Sequence, residues 1–155
     1  MVVVLDNIRS LNNVGSIFRT ADAAGVEKIY LCGITPEPVD RFNNPRPQLT
    51  KVSLGAEKNV VWEKVGRSLG LVRRLKKDGY KILALEQDNK SIKYFKFKKK
   101  KSEKIALILG NEVKGISASL LKEADKILEI PMRGKKESLN VSVAFGVVIL
   151  YLANL

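Results

Sequence analysis

Three stretches of this 155-residue chain gather amides, charged side chains and glycine where a ligand can be held. The first runs from Asp6 to Thr20 and contains Asn7, Arg9, Asn12, Asn13, Gly15 and Arg19. It joins an apolar run to a helical pattern. Arg9 is expected at the surface. Arg19 stands in a fairly apolar part of the helical pattern, where a guanidinium needs an anionic partner or a pocket. The plainer alternative is an arginine that reaches solvent along its own stem.

The second stretch is Gly110-Asn111-Glu112-Val113-Lys114-Gly115-Ile116-Ser117. It comes close to the phosphate-binding loop G-x-x-x-x-G-K-[ST]. Ile116 stands where the lysine belongs, and Glu112 would bring a negative charge into a phosphate cradle, so nucleotide hydrolysis is poorly supported. A tight glycine turn that lets a ligand approach the backbone fits better. An ordinary strand-to-helix turn fits as well. The third stretch, Ile130 to Ser142, passes from a strand through a Pro-Gly loop into an apolar helix. Free amides at that helix start can receive an anion or the polar edge of a ligand. Ser138 is the expected N-cap, which leaves Asn140 without a structural reason.

The elements that must position these stretches alternate. Strands are expected over Val2–Leu5, Lys28–Cys32, Lys81–Leu85, Ile105–Leu109 and Lys126–Ile130. Helices are expected over Asn13–Ala24, Val65–Lys77, from Ser117 to about Ala124, and after Ser138. Residues 33–53 read as irregular, because three of the five prolines fall between Pro38 and Pro47. The pattern predicts a single α/β domain over residues 1–155, with a mainly parallel sheet flanked by helices. In such sheets ligands sit beyond the carboxyl ends of the strands, where all three stretches lie.

Composition removes several chemistries. The chain has no histidine and one cysteine, Cys32. Imidazole catalysis, thiolate zinc sites and disulfides are therefore out, and no metal is expected. A reducing, cytoplasmic setting fits this usage. No leader peptide is read at the start. The apolar stretch Val141–Leu155 is shorter than the roughly 20 residues of a spanning helix, so a core or interface helix is expected and no membrane.

The net charge of +12 points to a polyanion, with nucleic acid first. Basic residues concentrate in two places. Arg41, Arg46 and Lys51 lie beside Phe42. Lys93, Lys96, Lys98, Lys99, Lys100, Lys101 and Lys104 surround Tyr94, Phe95 and Phe97. Lysine with interleaved aromatics suits phosphate contact and base stacking. A solvated lysine-rich loop over buried Phe95 and Phe97 is the equal alternative.

Taken together, the three stretches resemble the three motifs of the SpoU (TrmH) family in the SPOUT superfamily. Asn13, Gly15, Ile17, Arg19 and Thr20 match the first motif. Gly110, Glu112, Gly115 and Ile116 match the second, and Ile130 through Ala144 match the third. The resemblance spans nearly the whole chain. It implies an α/β fold with a C-terminal trefoil knot, a homodimer, and methyl transfer from S-adenosylmethionine to a ribose 2′-hydroxyl of tRNA or rRNA. It places the cofactor against Gly110, Ile130 and Leu139, with Leu85, Met132 and Ser138 added. Arg19 takes the place of the family's catalytic arginine, with Asn13, Glu112 and Asn140 grouped around it. In a dimer, Arg19 would face the cofactor held by the partner. A guanidinium stays protonated far above neutral pH, so stabilising an alkoxide or holding a phosphate suits it better than a base role. Arg9, Arg41, Arg46, Lys98, Lys99 and Lys100 are the expected RNA contacts. Since no RNA-binding extension is read outside the domain, tRNA is favoured. A non-catalytic RNA-binding module on the same scaffold is the competing reading.

Overall fold

The computed structural model describes residues 1–155. Seven strands form one sheet: β1 (Val2–Asp6), β2 (Lys28–Cys32), β3 (Val61–Val65), β4 (Tyr80–Leu85), β5 (Ile92–Lys93), β6 (Lys104–Leu109) and β7 (Lys126–Glu129). Their order is β3-β2-β1-β6-β4-β7-β5, and every neighbouring pair is parallel. Strands covered on both faces must be apolar throughout, as Val2-Val3-Val4-Leu5 and Ile105-Ala106-Leu107-Ile108-Leu109 are.

Because successive side chains point to opposite faces, the sheet feeds two cores. Val3, Leu5, Ile29, Leu31, Leu83, Ile105 and Leu107 face α1 (Leu11–Ala23) and α6 (Val141–Ala153). Val2, Val4, Tyr30, Cys32, Ile82, Ala84, Ala106 and Ile108 face α4 (Ser68–Lys77) and α5 (Ala118–Leu121). The short helices α2 (Pro47–Ser53) and α3 (Ala56–Asn59) pack on α1.

The α/β class and the parallel sheet agree with expectation, and several boundaries do not. Residues 33–53 are not wholly irregular, because Pro47 opens α2. Proline is tolerated in the first helical turn, where its missing N–H has no partner to lose. The helix expected from Val65 starts at Ser68, because Val61–Val65 is the edge strand β3, with one neighbour and half-exposed side chains. α1 starts at Leu11, where the Ser10 hydroxyl accepts the Asn13 N–H at 3.2 Å. α5 is a single turn and stops at Leu121. β5 sits unexpectedly within the lysine-rich excursion. Of the two phenylalanines there, Phe97 is buried while Phe95 stays 44% exposed.

β7 lies between β4 and β5, although only residues 86–91 connect those two strands. Leu85 is level with Leu128, and Ile92 is level with Leu128 on its other side. Gln87 in the connection donates through Nε2 to the Ile130 carbonyl at 2.9 Å as the chain leaves β7. No helix is long and apolar enough to cross a membrane.

Candidate functional site

A cleft of about 280 Å³ opens at the carboxyl ends of β4, β6 and β7. Leu85 and Leu109 end their strands at its floor, and Ile130 and Met132 follow β7. Ser138 and Leu139, ahead of α6, and Val141, its first residue, form the opposite wall. All six residues expected at a cofactor, Gly110, Ile130, Leu139, Ser138, Met132 and Leu85, line this one cleft. Leu139 is 42% exposed, an apolar surface that no protein group covers.

Glycine is required on the near wall. A side-chain carbon on Gly110 would lie 2.5 Å from the Gly115 carbonyl carbon and from the Ile116 nitrogen. Gly115 has φ +65°, which disfavours side chains, and a carbon there would lie 2.4 Å from the Glu86 carboxylate. Glu86 accepts the Ile116 N–H at 3.0 Å and the Gln87 N–H at 2.9 Å. The turn is closed by Asn111, whose carbonyl accepts the Gly115 N–H and whose side-chain oxygen accepts from Val113 and Lys114.

Beside the cleft the three sequence motifs are joined by a chain of hydrogen bonds. The Glu112 carboxylate accepts the Arg9 N–H on both oxygens, at 3.1 and 3.0 Å. It also accepts the Ser10 N–H at 3.0 Å and the Asn13 amide at 3.1 Å. Asn13 in turn accepts from the Asn140 amide at 3.1 Å. Burial works to raise the Glu112 pKa, but the N–H groups of Arg9 and Ser10 outweigh it and hold the group below its usual value. Its charge is thus held at the start of α1, where the helix dipole favours it.

The expected cap of α6 is corrected here. Asn140, not Ser138, is the N-cap, because its side-chain oxygen accepts the Ser142 N–H at 2.9 Å. Asn140 therefore both starts α6 and links to Asn13. Ser138 lies in the wall of the cleft.

The expected catalytic set comes together only in part. Asn13 joins Glu112 and Asn140, donating to the first and accepting from the second. Arg19 is exposed on α1 and has no hydrogen bond or ion pair within the protomer. The anionic partner expected for it is not within its own chain. Arg19 shares α1 with Thr20, which lies 3.8 Å from the carbon built on Gly146 of α6. α6 is apolar all round, and it leaves Val143, Val147 and Leu150 exposed at 52%, 37% and 44%. Their i, i+4, i+7 spacing places them in one stripe.

The expected RNA contacts divide between the two ends of the sheet. Arg9 follows β1, and Arg41 and Arg46 follow β2, at the carboxyl end that holds the cleft. Arg41 lies over the exposed Phe42 ring at 4.7 Å, and Arg46 donates through Nε to the Val39 carbonyl at 3.1 Å. The loop of Lys98, Lys99 and Lys100 is tied to the opposite end. The Lys100 N–H reaches Glu103, and Glu103 pairs with Lys81 near the start of β4 at 2.8 Å. Lys81 precedes Leu85 by four residues, so this anchor lies about 13 Å below the cleft floor at ~3.3 Å per residue. Sequence alone had put both basic groups into one class of contact.

A second depression was missed. It lies across the Gly110–Gly115 turn from the cleft and is lined by Asp6, Asn7, Arg9, Ile34, Lys114 and Ser117 among others. The signal was an acidic residue closing an otherwise apolar strand.

The site can be compared with known proteins. The chain is 31% identical over 149 residues to a tRNA (guanosine(18)-2′-O)-methyltransferase of Aquifex aeolicus, covering 96% of this chain and 66% of that protein. An AdoMet-bound rRNA methyltransferase from Sinorhizobium meliloti superposes with a TM-score of 0.82 at 28% identity, over 99% of this chain and 55% of the other. A solved structure that concerns the 2-OH methylation of C/U34 on tRNA matches with a TM-score of 0.80 at 25% identity, over 99% of this chain and 93% of the other. The chain spans about half to two thirds of the length of the curated relatives it matches. The model of the SpoU rRNA Methylase family matches residues 1–150, the stretch that carries the sheet, the cleft and the bonded asparagines, and the chain belongs to that family.

Proposed function

We propose that this chain is an S-adenosylmethionine-dependent methyltransferase acting on a ribose 2′-hydroxyl of RNA, with tRNA favoured and rRNA as the other class. The observation that carries the reading is the convergence of Gly110, Ile130, Met132, Ser138, Leu139 and Leu85 on one cleft beside the bonded Asn13, Glu112 and Asn140.

The cleft suits an adenosyl group. Its acidic neighbours are already engaged, Glu86 by Ile116 and Gln87, and Glu112 by the start of α1. What remains is apolar surface at Leu85, Ile130 and Leu139, together with backbone that a purine edge can pair with. When bound, the cofactor supplies an electrophilic methyl group. Gly110, Ile130 and Leu139 would hold the cofactor, and the ribose hydroxyl would be the acceptor of that methyl. The chain positions: Glu112 and Asn140 tie the near and far walls through Asn13, and Gly110 lets the turn close against Gly115 and Ile116.

Arg19 is assigned to the reacting ribose from a second copy. Its lack of any partner within the protomer supports this, as does the uncovered Val143–Val147–Leu150 stripe on α6. A homodimer that covers the stripe brings α1 of one copy towards the cleft of the other. The cation then faces the developing alkoxide or the adjacent phosphate. The place of β7 between β4 and β5 supports the knotted path expected of the family.

The test is calorimetry with S-adenosylmethionine and its demethylated product, followed by methylation of tRNA and rRNA fractions with labelled cofactor and mapping of 2′-O-methyl sites. Binding of neither cofactor form removes the reading. Cofactor binding with salt-sensitive RNA binding and no transfer leaves only the RNA-binding module.

A further inference from the structure

The lysine-rich excursion between β5 and β6 runs the length of the sheet. Lys93 is level with Glu129, one residue above the level of Leu85 at the cleft floor. Lys104 is level with Tyr80, at the start of β4. Five residues of β4 and one of β7 separate the two levels, so the descent is about 20 Å at ~3.3 Å per residue. It begins beside β7, the strand that delivers Ile130 to the cleft, and ends where β6 begins.

Six lysines lie along the descent: Lys93, Lys96, Lys98, Lys99, Lys100 and Lys101. None takes part in a salt bridge. The carboxylates at its two ends are engaged elsewhere. Glu129 accepts the Ser91 hydroxyl at 2.6 Å, and Glu103 pairs with Lys81 at 2.8 Å. Like charges at this density repel one another, and a polyanion relieves them.

Phe95 stands between Lys93 and Lys96 with 44% of its surface exposed. The space inside is taken. Phe97 is buried, and Tyr94 lies edge-on to both Phe95 and Tyr151, with ring centres 5.3 Å apart in each pair. The Tyr151 hydroxyl lies 3.0 Å from the carbonyls of Phe95 and Phe97, which share its proton. The backbone at Phe95 is thus fixed to α6. A lone exposed phenylalanine needs no reason of its own. One held in place among six unpaired cations offers a stacking face between phosphate contacts.

We propose that this edge of the sheet is a track for an unpaired RNA strand, the segment that flanks the nucleotide held at the cleft. Its phosphates meet the lysines, and one of its bases stacks on Phe95. In a duplex the base faces are closed by their neighbours, and proteins meet it through shape, ribose and phosphate. The exposed ring therefore favours a single strand. The inference rests on the RNA reading above and adds that the substrate carries unpaired residues next to the methylated nucleotide.

The experiment is fluorescence anisotropy of the full chain with a labelled uridine dodecamer, and with the same strand annealed to its adenosine complement, over a range of salt. Phe95→Leu keeps the apolar bulk and the carbonyl that Tyr151 holds, and removes the aromatic face. It should weaken the single strand about fivefold or more, with the salt slope unchanged, and leave the duplex as it was. Lys96→Gln with Lys98→Gln should lower the salt slope for the single strand by about 1.4. Phe42→Leu, on the other exposed aromatic loop, should change neither. An unaltered single strand with Phe95→Leu, an equal loss for strand and duplex, or a loss that follows Phe42→Leu instead overturns the track. So does a polyglutamate peptide that displaces the strand at equal charge concentration. A chain that binds the strand through Phe95 but transfers no methyl to RNA keeps the track and loses the proposed function. One that methylates RNA while Phe95→Leu leaves strand binding unaltered loses only the track.

Discussion

Replacing Glu112 by alanine frees the donors that tie the second motif to the first. Those donors are the Arg9 N–H, the Ser10 N–H and the Asn13 amide, all within 3.1 Å. Hydrogen bonds to charged groups contribute about 1.5–3 kcal/mol each. Glu112 is exposed, so water takes up the freed donors, and ~0.5–1 kcal/mol for each is the better figure. The total is about 2 kcal/mol, or roughly 4–8 °C in Tm for a chain of this size. Glu112→Gln keeps one neutral acceptor and should lose about half of that. The pH dependence has a defined sign. The folded-state pKa of Glu112 is lowered, so its contribution is present above the unfolded carboxylate value of about 4.3 and drains away as pH falls through the folded value. The Tm gap between the unmodified chain and Glu112→Gln should therefore hold from neutral pH to about 5 and narrow below that. Differential scanning calorimetry at fixed protein concentration reads both quantities. A loss under about 1 °C for Glu112→Ala, or a gap that does not change down to about pH 3.5, refutes the assignment of Glu112 as the tie.

Gly110→Ala should lose at least tenfold in cofactor affinity with its circular dichroism retained, because the added carbon meets the Gly115 and Ile116 backbone at 2.5 Å; calorimetry reads it. Arg19→Ala should keep the cofactor Kd and lose at least a hundredfold in methylation rate, the scale of one lost charge stabiliser. Near-normal turnover would remove Arg19 from the reaction. Val147→Asp puts a charge on the uncovered α6 stripe and should turn a dimer into monomers in sedimentation, with methylation lost and the monomer still folded. The triple variant Lys98→Ala, Lys99→Ala, Lys100→Ala lies at the end of the sheet away from the cleft. It should raise KM for RNA and lower the salt slope by about 2 while leaving kcat unchanged; a fall in kcat alone contradicts that placement.

The parallel sheet was legible because its strands are covered on both faces and read as unbroken apolar runs. β3 was not, since an edge strand with one neighbour is half solvated and Val61-Trp62-Glu63-Lys64-Val65 dilutes its β-branched signal with charge. α2 was hidden by its own proline, which marks a helix start as readily as a break. The residues lining the cleft were legible through the resemblance alone. Periodicity places Leu85 and Ile130 at strand ends, but it says nothing of Leu139 meeting them across the cleft. Serine favours the cap position, so the sequence points to Ser138. Asn140 is equally suited, and its place is decided by its bond to Asn13, which lies 127 residues away. The division of basic residues between the two ends of the sheet depends on the Glu103–Lys81 pair, a long-range contact that local sequence does not express.

The position of β7 sets an order on how this protein is made. β5 has no other partner than β7, so the edge of the sheet stays unformed until residues 126–129 arrive. The same late segment brings Ile130, Met132 and Leu139, which lie opposite the Gly110 turn in the cleft. A nascent chain that has completed β1 through β6 carries the Gly110 turn but has nothing to close over a ligand. Ligand affinity thus reports that synthesis and docking of the last segment are finished. By mass action a ligand at a hundred times its Kd adds about 2.7 kcal/mol to the closed state alone. A chain in which β7 is not seated gains none of that stabilisation.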